Sequence, residues 1–221
     1  MPADVICVLA KSPRPGEVKT RLAPAVGPDG AAALARAFLD DTLALARSFP
    51  WARVAVAVDG DASLLEIPHD VEVWPQGTGD LGERMGRALL RALARGGRAI
   101  LIGADSPGLP PRLVEAARSA LRAGGAVLGP ADDGGFYLVG LDRCEEGLLS
   151  DLPWSRSDTL AHAEARLRRS GRAVARTGRW FDVDEPADLV RLARLVAVGE
   201  VVAPATARAL ASLGFLGRAA A

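Results

Sequence analysis

Short apolar runs that alternate with amphipathic helical patterns constrain this chain more than any other feature. Val5–Ala10, Val54–Val58, Val71–Trp74, Ala99–Gly103, Ala126–Leu128 and Phe136–Leu141 read as strands. They are apolar at successive positions, as strands covered on both faces are. Helical patterns run from about Gly30 to Ser48, Leu81 to Arg95, Pro111 to Ala123, Asp158 to Ser170 and Pro186 to Val198. In the second of these, Leu81, Met85, Ala88, Leu89 and Ala92 form a stripe at 3.6-residue spacing. This alternation predicts an α/β domain with a mainly parallel central sheet flanked by helices.

The chain has 221 residues with no internal repeat, no low-complexity tract and no long linker. One domain over 1–221 is expected, with 203–221 as a C-terminal tail or helix that packs on the domain or pairs subunits into a homodimer. Lys plus Arg and Asp plus Glu both number 27, for a net charge of zero. That balance argues against a nucleic-acid partner, which would call for a basic excess. No apolar run is long enough for a membrane span. The N-terminus lacks the basic region of a signal peptide, and Cys7 and Cys144 form no C-x-x-C pair. The expected compartment is the cytoplasm.

In open α/β sheets ligands bind beyond the carboxyl ends of the strands, so the loops after the strands carry the functional reading. The first, Lys11–Leu22, holds Lys11, Arg14, Lys19 and Arg21 against the single acid Glu17. Of the 27 basic residues of the chain only Lys11 and Lys19 are lysines, and both fall here. A compact, mobile ammonium is something Arg cannot copy. Four cations after the first strand suit a di- or triphosphate, although the Walker spacing is missing. In Pro75–Arg84 three glycines surround a helix start that Asp80 can cap. Asp105 lies two residues past a strand end, where a carboxylate can hold a hard cation or simply close the turn. Asp132 and Asp133, followed by two glycines, make either a hairpin turn or a base facing the site. Near the last long helix Pro186 fits the first helical position and Glu185 the N-cap, which leaves Asp182 and Asp184 free for a ligand. His69 and His162 read as surface residues, and the run of arginines from Arg166 to Arg179 as mostly a solvated face.

Taken together, the motifs Lys11-x-Pro-x-Pro-Gly-x-Val-Lys-Thr-Arg-Leu22, Gly79-Asp-Leu-Gly-Glu-Arg-Met85, Gly103-Ala-Asp-Ser-Pro107, Asp133-Gly-Gly-Phe136, Pro153-Trp-Ser155 and Asp182-Val-Asp-Glu-Pro-Ala-Asp-Leu189 resemble a family of bacterial GT-A-type transferases. Its members are often named radical-SAM/selenodomain-associated transferase 1. The likeness spans about residues 4 to 198. The wider superfamily includes guanylyltransferases for molybdenum cofactor and for phospholactate. The resemblance implies a single-domain, Rossmann-like nucleotide-diphospho-sugar transferase fold that binds a nucleotide and a divalent ion, Mg²⁺ or Mn²⁺. It implies that Lys11, Lys19 and Arg21 contact phosphates, and that Gln76, Asp80 and Arg84 lie near base or ribose. It makes Asp105 the metal ligand, with Asp184 as a second contact, and turns Asp133 and Trp154 toward a small-molecule acceptor.

Asp105 and Asp133 are thus the expected catalytic carboxylates of a metal-dependent transferase with a nucleotide-activated donor, a sugar nucleotide before others. A Pro- and Lys-bearing loop stands where sugar nucleotidyltransferases carry a Gly-rich one, and Arg156 stands where Thr is expected. The alternatives are a nucleotidyltransferase that releases pyrophosphate from an NTP, and a non-catalytic nucleotide-binding protein.

Overall fold

The computed structural model describes residues 3–216. Seven strands form one sheet: β1 (Asp4–Lys11), β2 (Ala52–Asp59), β3 (Val71–Pro75), β4 (Ala99–Gly103), β5 (Ala126–Pro130), β6 (Phe136–Leu141) and β7 (Val174–Arg176). Their order across the sheet is β3-β2-β1-β4-β6-β5-β7. β1 pairs in parallel with β2 and β4, and β2 with β3. Only β6 runs against its neighbours, antiparallel to both β4 and β5, while β7 joins β5 in parallel. The six helices are α1 (Ala23–Arg47), α2 (Leu81–Leu93), α3 (Pro111–Arg122), α4 (Thr159–Arg169), α5 (Pro186–Ala197) and α6 (Pro204–Ser212).

The successive apolar residues of the strands serve two cores. Ile6, Val8, Val54, Val56, Ile100 and Ile102 pack with Leu39 and Leu43 of α1 and Leu113, Val114 and Leu121 of α3. The intervening Val5, Cys7, Ala55, Ala57, Ala99 and Leu101 meet Met85, Ala88 and Leu89 of α2 and Leu160, Ala163 and Leu167 of α4. Strand side chains alternate between faces, so helices on both sides require apolar residues at every position. The second face is built from smaller residues. Gly82 at the start of α2 lies so near Leu149 that a Cβ would stand 1.8 Å from the Leu149 carbonyl oxygen.

A third cluster joins Leu34 and Phe38 of α1 to Leu189 and Leu192 of α5, Leu210 of α6, and Phe181 and Val183. Pro204 starts α6, and its next two backbone N–H groups donate to Asp41 of α1, Ala205 at 2.9 Å and Thr206 at 2.8 Å. Asp41 thereby satisfies orphan donors that every helix start exposes. The expected tail is in this part a helix docked on α1, and residues 217–221 of that tail lie outside the described residues.

The structure corrects one helix bound and adds a strand and a buried arginine. The first helix begins at Ala23, not Gly30, because a bend at Gly27 (φ 74°) lets the chain pass Pro28 and continue. β7 is too short to read as an apolar run. Most of the arginine run is exposed, but Arg172, with a side chain 0% exposed, donates to Glu145 and to the Arg143 carbonyl, and the exposed Arg168 and Arg176 both grip Glu164.

Asp41→Ala leaves two donors of a helix start without a partner in a buried place. It should lower unfolding stability by about 2 kcal/mol in urea denaturation, with Asp41→Asn losing less because it keeps an acceptor.

Candidate active site

The carboxyl ends of β1 to β4 and the loop before the antiparallel β6 lie along one edge of the sheet. There they enclose a cavity of about 590 Å³ lined by Lys11, Lys19, Arg21, Asp59, Gln76, Arg84, Asp105, Asp133, Arg156 and Asp184, among others. A smaller cavity of about 260 Å³ adjoins it, walled by Leu81, Met85, Phe136 and Trp154. Asp105, Asp133, Ser155 and Arg156 border both.

The centre of the larger cavity is an ion cluster. Lys19 Nζ stands 2.5 Å from Asp105 Oδ1 and 2.9 Å from Asp184 Oδ1, and it donates to the Val183 carbonyl at 2.9 Å. The Lys19 side chain is only 6% exposed, whereas those of Asp105 and Asp184 are 57% and 46% exposed. Burial alone would depress the ammonium, but Asp105 and then Asp184 outweigh it and hold it above its ordinary value. Lys19 also has a left-handed backbone, φ 46°, a conformation that costs a non-glycine residue energy and concentrates at functional sites.

Asp182 lies behind this cluster, its carboxylate accepting from Ser106 Oγ. Burial pushes its carboxyl up from 3.8 to about 6. The Ser106 bond opposes the rise, and the neighbouring Asp105, Asp184 and Asp133 add to it. Asp132 faces away, paired with Arg191 at 2.8 Å. Asp133 is the one of the two acids that borders the cavities, with Oδ1 accepting from the Gly135 N–H at 2.8 Å. Its loop presses on residues 155–157 because Gly134 (φ +91°) has no side chain. A Cβ there would sit 2.0 Å from the Ser157 carbonyl oxygen.

At the other end, Gln76 is 4% exposed. Its Nε2 donates to the Ala10 and Ala57 carbonyls at 3.0 Å each, and its Oε1 accepts from Arg84 Nη1 at 3.1 Å. Arg84 Nη1 also pairs with Asp59 Oδ2 at 2.8 Å. Gln76 therefore forms the floor and orients Arg84, its own amide donors being spent on backbone. Asp59 was missed from sequence. It ends β2 in register with Lys11, but an Asp-Gly pair after an apolar run reads as a turn. Asp80 does not line either cavity. One oxygen caps the Glu83 N–H at 2.8 Å and the other accepts from Asp151 N at 3.0 Å. Lys11 is exposed, donates only to the Glu17 carbonyl at 3.0 Å, and has no carboxylate partner among the described residues. Arg21 is exposed at the rim, 3.9 Å from Glu185. Trp154 tilts against Phe136 with ring centroids 5.9 Å apart, and its buried Nε1 has no partner.

Among the described residues no three His, Cys, Asp or Glu side chains form a metal cage. The two oxygens that converge on Lys19 Nζ are nevertheless hard donors on one point. Mg²⁺ and Mn²⁺ suit such a pair when phosphates and water complete the shell. The residues fit a metal completed by its ligand.

Fold and cavity together define an α/β protein of the nucleotide-diphospho-sugar transferase type. The structure matches that of a Desulfovibrio desulfuricans G20 protein bearing the provisional name nucleotide-diphospho-sugar transferase. The TM-score is 0.83 and the identity 32%, over 96% of this chain and 97% of that one. Residues 33–156 match the family described as "Uncharacterized protein conserved in bacteria (DUF2064)", and the chain belongs to that family. Rv0371c of Mycobacterium tuberculosis H37Rv shares the fold at TM-score 0.57 and 20% identity, over 87% of this chain and 98% of that one. A further structure of Rv0371c holds manganese. CMP:2-keto-3-deoxy-manno-octonic acid synthetase complexed with CTP shares it at TM-score 0.55 and 16% identity, over 89% and 99%. No curated protein matches the sequence.

The raised Asp182 has a measurable consequence in metal-free protein. An acid whose folded pKa is about 6 against 3.8 makes the folded state bind the extra proton, so stability is full below 3.8 and lost as pH rises through 6. Asp182→Asn should flatten the fall in melting temperature between pH 4 and pH 7 and gain on the order of 2 kcal/mol at pH 7. An unchanged pH profile in differential scanning calorimetry would contradict the assignment.

Proposed function

We propose that the protein is a metal-assisted transferase that takes a nucleotide-activated sugar in the larger cavity and passes the sugar to a small acceptor in the smaller one. The observation that carries this reading is the placement of Asp133 on the border of two unlike cavities. One is rich in cations and carboxylates, as a nucleoside diphosphate and its counter-ion require. The other sets the apolar and aromatic side chains of Leu81, Met85, Phe136 and Trp154 opposite a few polar groups, as a small organic acceptor requires.

In this reading Arg84, held by Gln76 and Asp59, borders the nucleoside, and Lys11, Lys19 and Arg21 meet the diphosphate. Asp105 and Asp184 hold the divalent ion, whose chemistry is to stabilise negative charge on the departing diphosphate. Lys11, which lines the same cavity, would add to that charge stabilisation. Asp133 accepts the proton of the attacking hydroxyl, with its other oxygen steadied by the Gly135 N–H. Trp154 and Phe136 bury the acceptor's apolar face, and Leu81 and Met85 help to exclude water. The composition of the first loop supports sugar transfer over nucleotidyl transfer. It offers Pro13, Pro15 and two lysines, not the run of glycine N–H groups that cradles a triphosphate.

The leaving group tests the choice. With sugar nucleotides and a panel of small alcohols and acids, a nucleoside diphosphate should accumulate only when acceptor is present. Acceptor-dependent pyrophosphate from an NTP, with every sugar nucleotide inert, would replace sugar transfer by nucleotidyl transfer. Asp133→Asn, which keeps the oxygen that caps Gly135, should lower kcat by about 10²–10⁴-fold and leave the donor Kd within about threefold, a change small on the scale of one lost hydrogen bond.

A further inference from the structure

The phosphate-binding lysine and the metal-binding carboxylates are one cluster in the free protein. Lys19 has three ammonium hydrogens and three acceptors for them: Asp105 Oδ1, Asp184 Oδ1 and the Val183 carbonyl. The ring of Phe38 stands 5.7 Å behind the ammonium, and Phe38 is fully buried. The two carboxylates, by contrast, open to the cavity. A divalent ion held by Asp105 and Asp184 would need the two oxygens that the ammonium now takes. An ammonium on a flexible stem can move from one set of oxygens to another, as a rigid arginine fork cannot.

We infer that Lys19 is the resident counter-ion of the metal pair, and that the site takes a metal–nucleotide chelate as one ligand, not the bare metal followed by the nucleotide. The diphosphate brings oxygens that receive the ammonium, and the metal brings the charge that replaces it on Asp105 and Asp184. Either partner alone meets half of a neutralised cluster. The bare metal finds its carboxylates already paired, and the bare diphosphate finds one of its two lysines engaged. Lys11, exposed and without a carboxylate partner among the described residues, remains free to draw the diphosphate in. Asp133 lines the same cavity, so removal of the ammonium with no replacement leaves unpaired carboxylates together and is costly. This inference rests on the reading that the cavity takes a nucleotide, and is indifferent to which bond is broken.

The test measures Mn²⁺ binding to nucleotide-free protein by the electron paramagnetic resonance signal of free Mn²⁺. Wild type is compared with Lys19→Met and Lys19→Gln, each checked for its fold by circular dichroism. The two variants differ in bulk and polarity, so that one remains usable if the other unfolds. With a unit charge removed a few ångströms from the ion, both should bind Mn²⁺ about tenfold or more tighter than wild type. A lysine whose only task is to bind phosphate would leave Mn²⁺ binding without nucleotide unchanged. Calorimetry with ADP, GDP, CDP and UDP, each with and without Mn²⁺, then measures the coupling. For the tightest of the four, Mn²⁺ should raise wild-type affinity by about 10–100-fold, and the nucleotide should raise Mn²⁺ affinity by the same factor. In the variants that factor should shrink about tenfold, since the displaced charge is gone. Variants that bind Mn²⁺ no tighter than wild type, while a nucleotide still binds, overturn the counter-ion role and leave the nucleotide reading standing. Failure of all four nucleotides to bind any form overturns the nucleotide reading and, with it, the coupling.

Discussion

The ammonium of Lys19 is the contact on which the architecture of the cavity depends. Four carboxylates, those of Asp105, Asp133, Asp182 and Asp184, are brought to one region by three separate loops. Unpaired, they would repel one another strongly in a partly dry place. Lys19 neutralises the nearest two and fixes the first loop against the segment before α5. Asp182 accommodates the remaining charge by retaining its proton more readily. The left-handed backbone of Lys19 is tolerated because three acceptors over-determine the position of its side chain.

The single antiparallel strand supplies the other requirement. A parallel return after β5 would carry the chain back to the amino ends of the strands before the next strand began. Because β6 runs back between β4 and β5, the turn that joins β5 to β6 falls at the carboxyl ends of the parallel strands. Asp133 is in that turn, and Phe136 begins the strand that follows. The smaller cavity thus adjoins the larger one at Asp133, and Gly134 lets the turn approach Ser157.

Much of this is legible in the sequence because it depends on local pattern. Doubly covered strands require apolar residues at successive positions, and helix starts require their caps. Thus β1 to β6 and α2 to α5 read out close to their observed bounds. The loops rich in Lys, Asp, Gly and Pro are equally visible, and Lys11, Lys19, Arg21, Gln76, Arg84, Asp105, Asp133 and Asp184 do line a common cavity. What is not legible depends on partners distant in the chain. Asp80 looks available until Asp151 is seen to take its second oxygen. Gln76, expected near base or ribose, instead spends its amide spanning β1 and β2. Arg172 lies in a run that reads as solvated, yet it is buried against Glu145. β7 has three residues, too few for any periodicity, and owes its place to β5.

The closing contacts lie far apart along the chain, and this bears on how the protein comes to exist in a cell. Lys19 meets Asp184 across 165 positions, and Asp41 meets Thr206 across the same separation. Chains emerge from the ribosome amino end first, at about 5–20 residues per second. The half of the sheet built on β1 to β4 can therefore assemble while its ion cluster still lacks Asp184. At that rate the stretch between β4 and Asp184 takes on the order of several seconds to emerge. A message cut short before the codon for Asp184 would yield a chain with much of its core and no completed cavity. Completion of the chain is thus also completion of the cavity, and a truncated product has no assembled ion cluster.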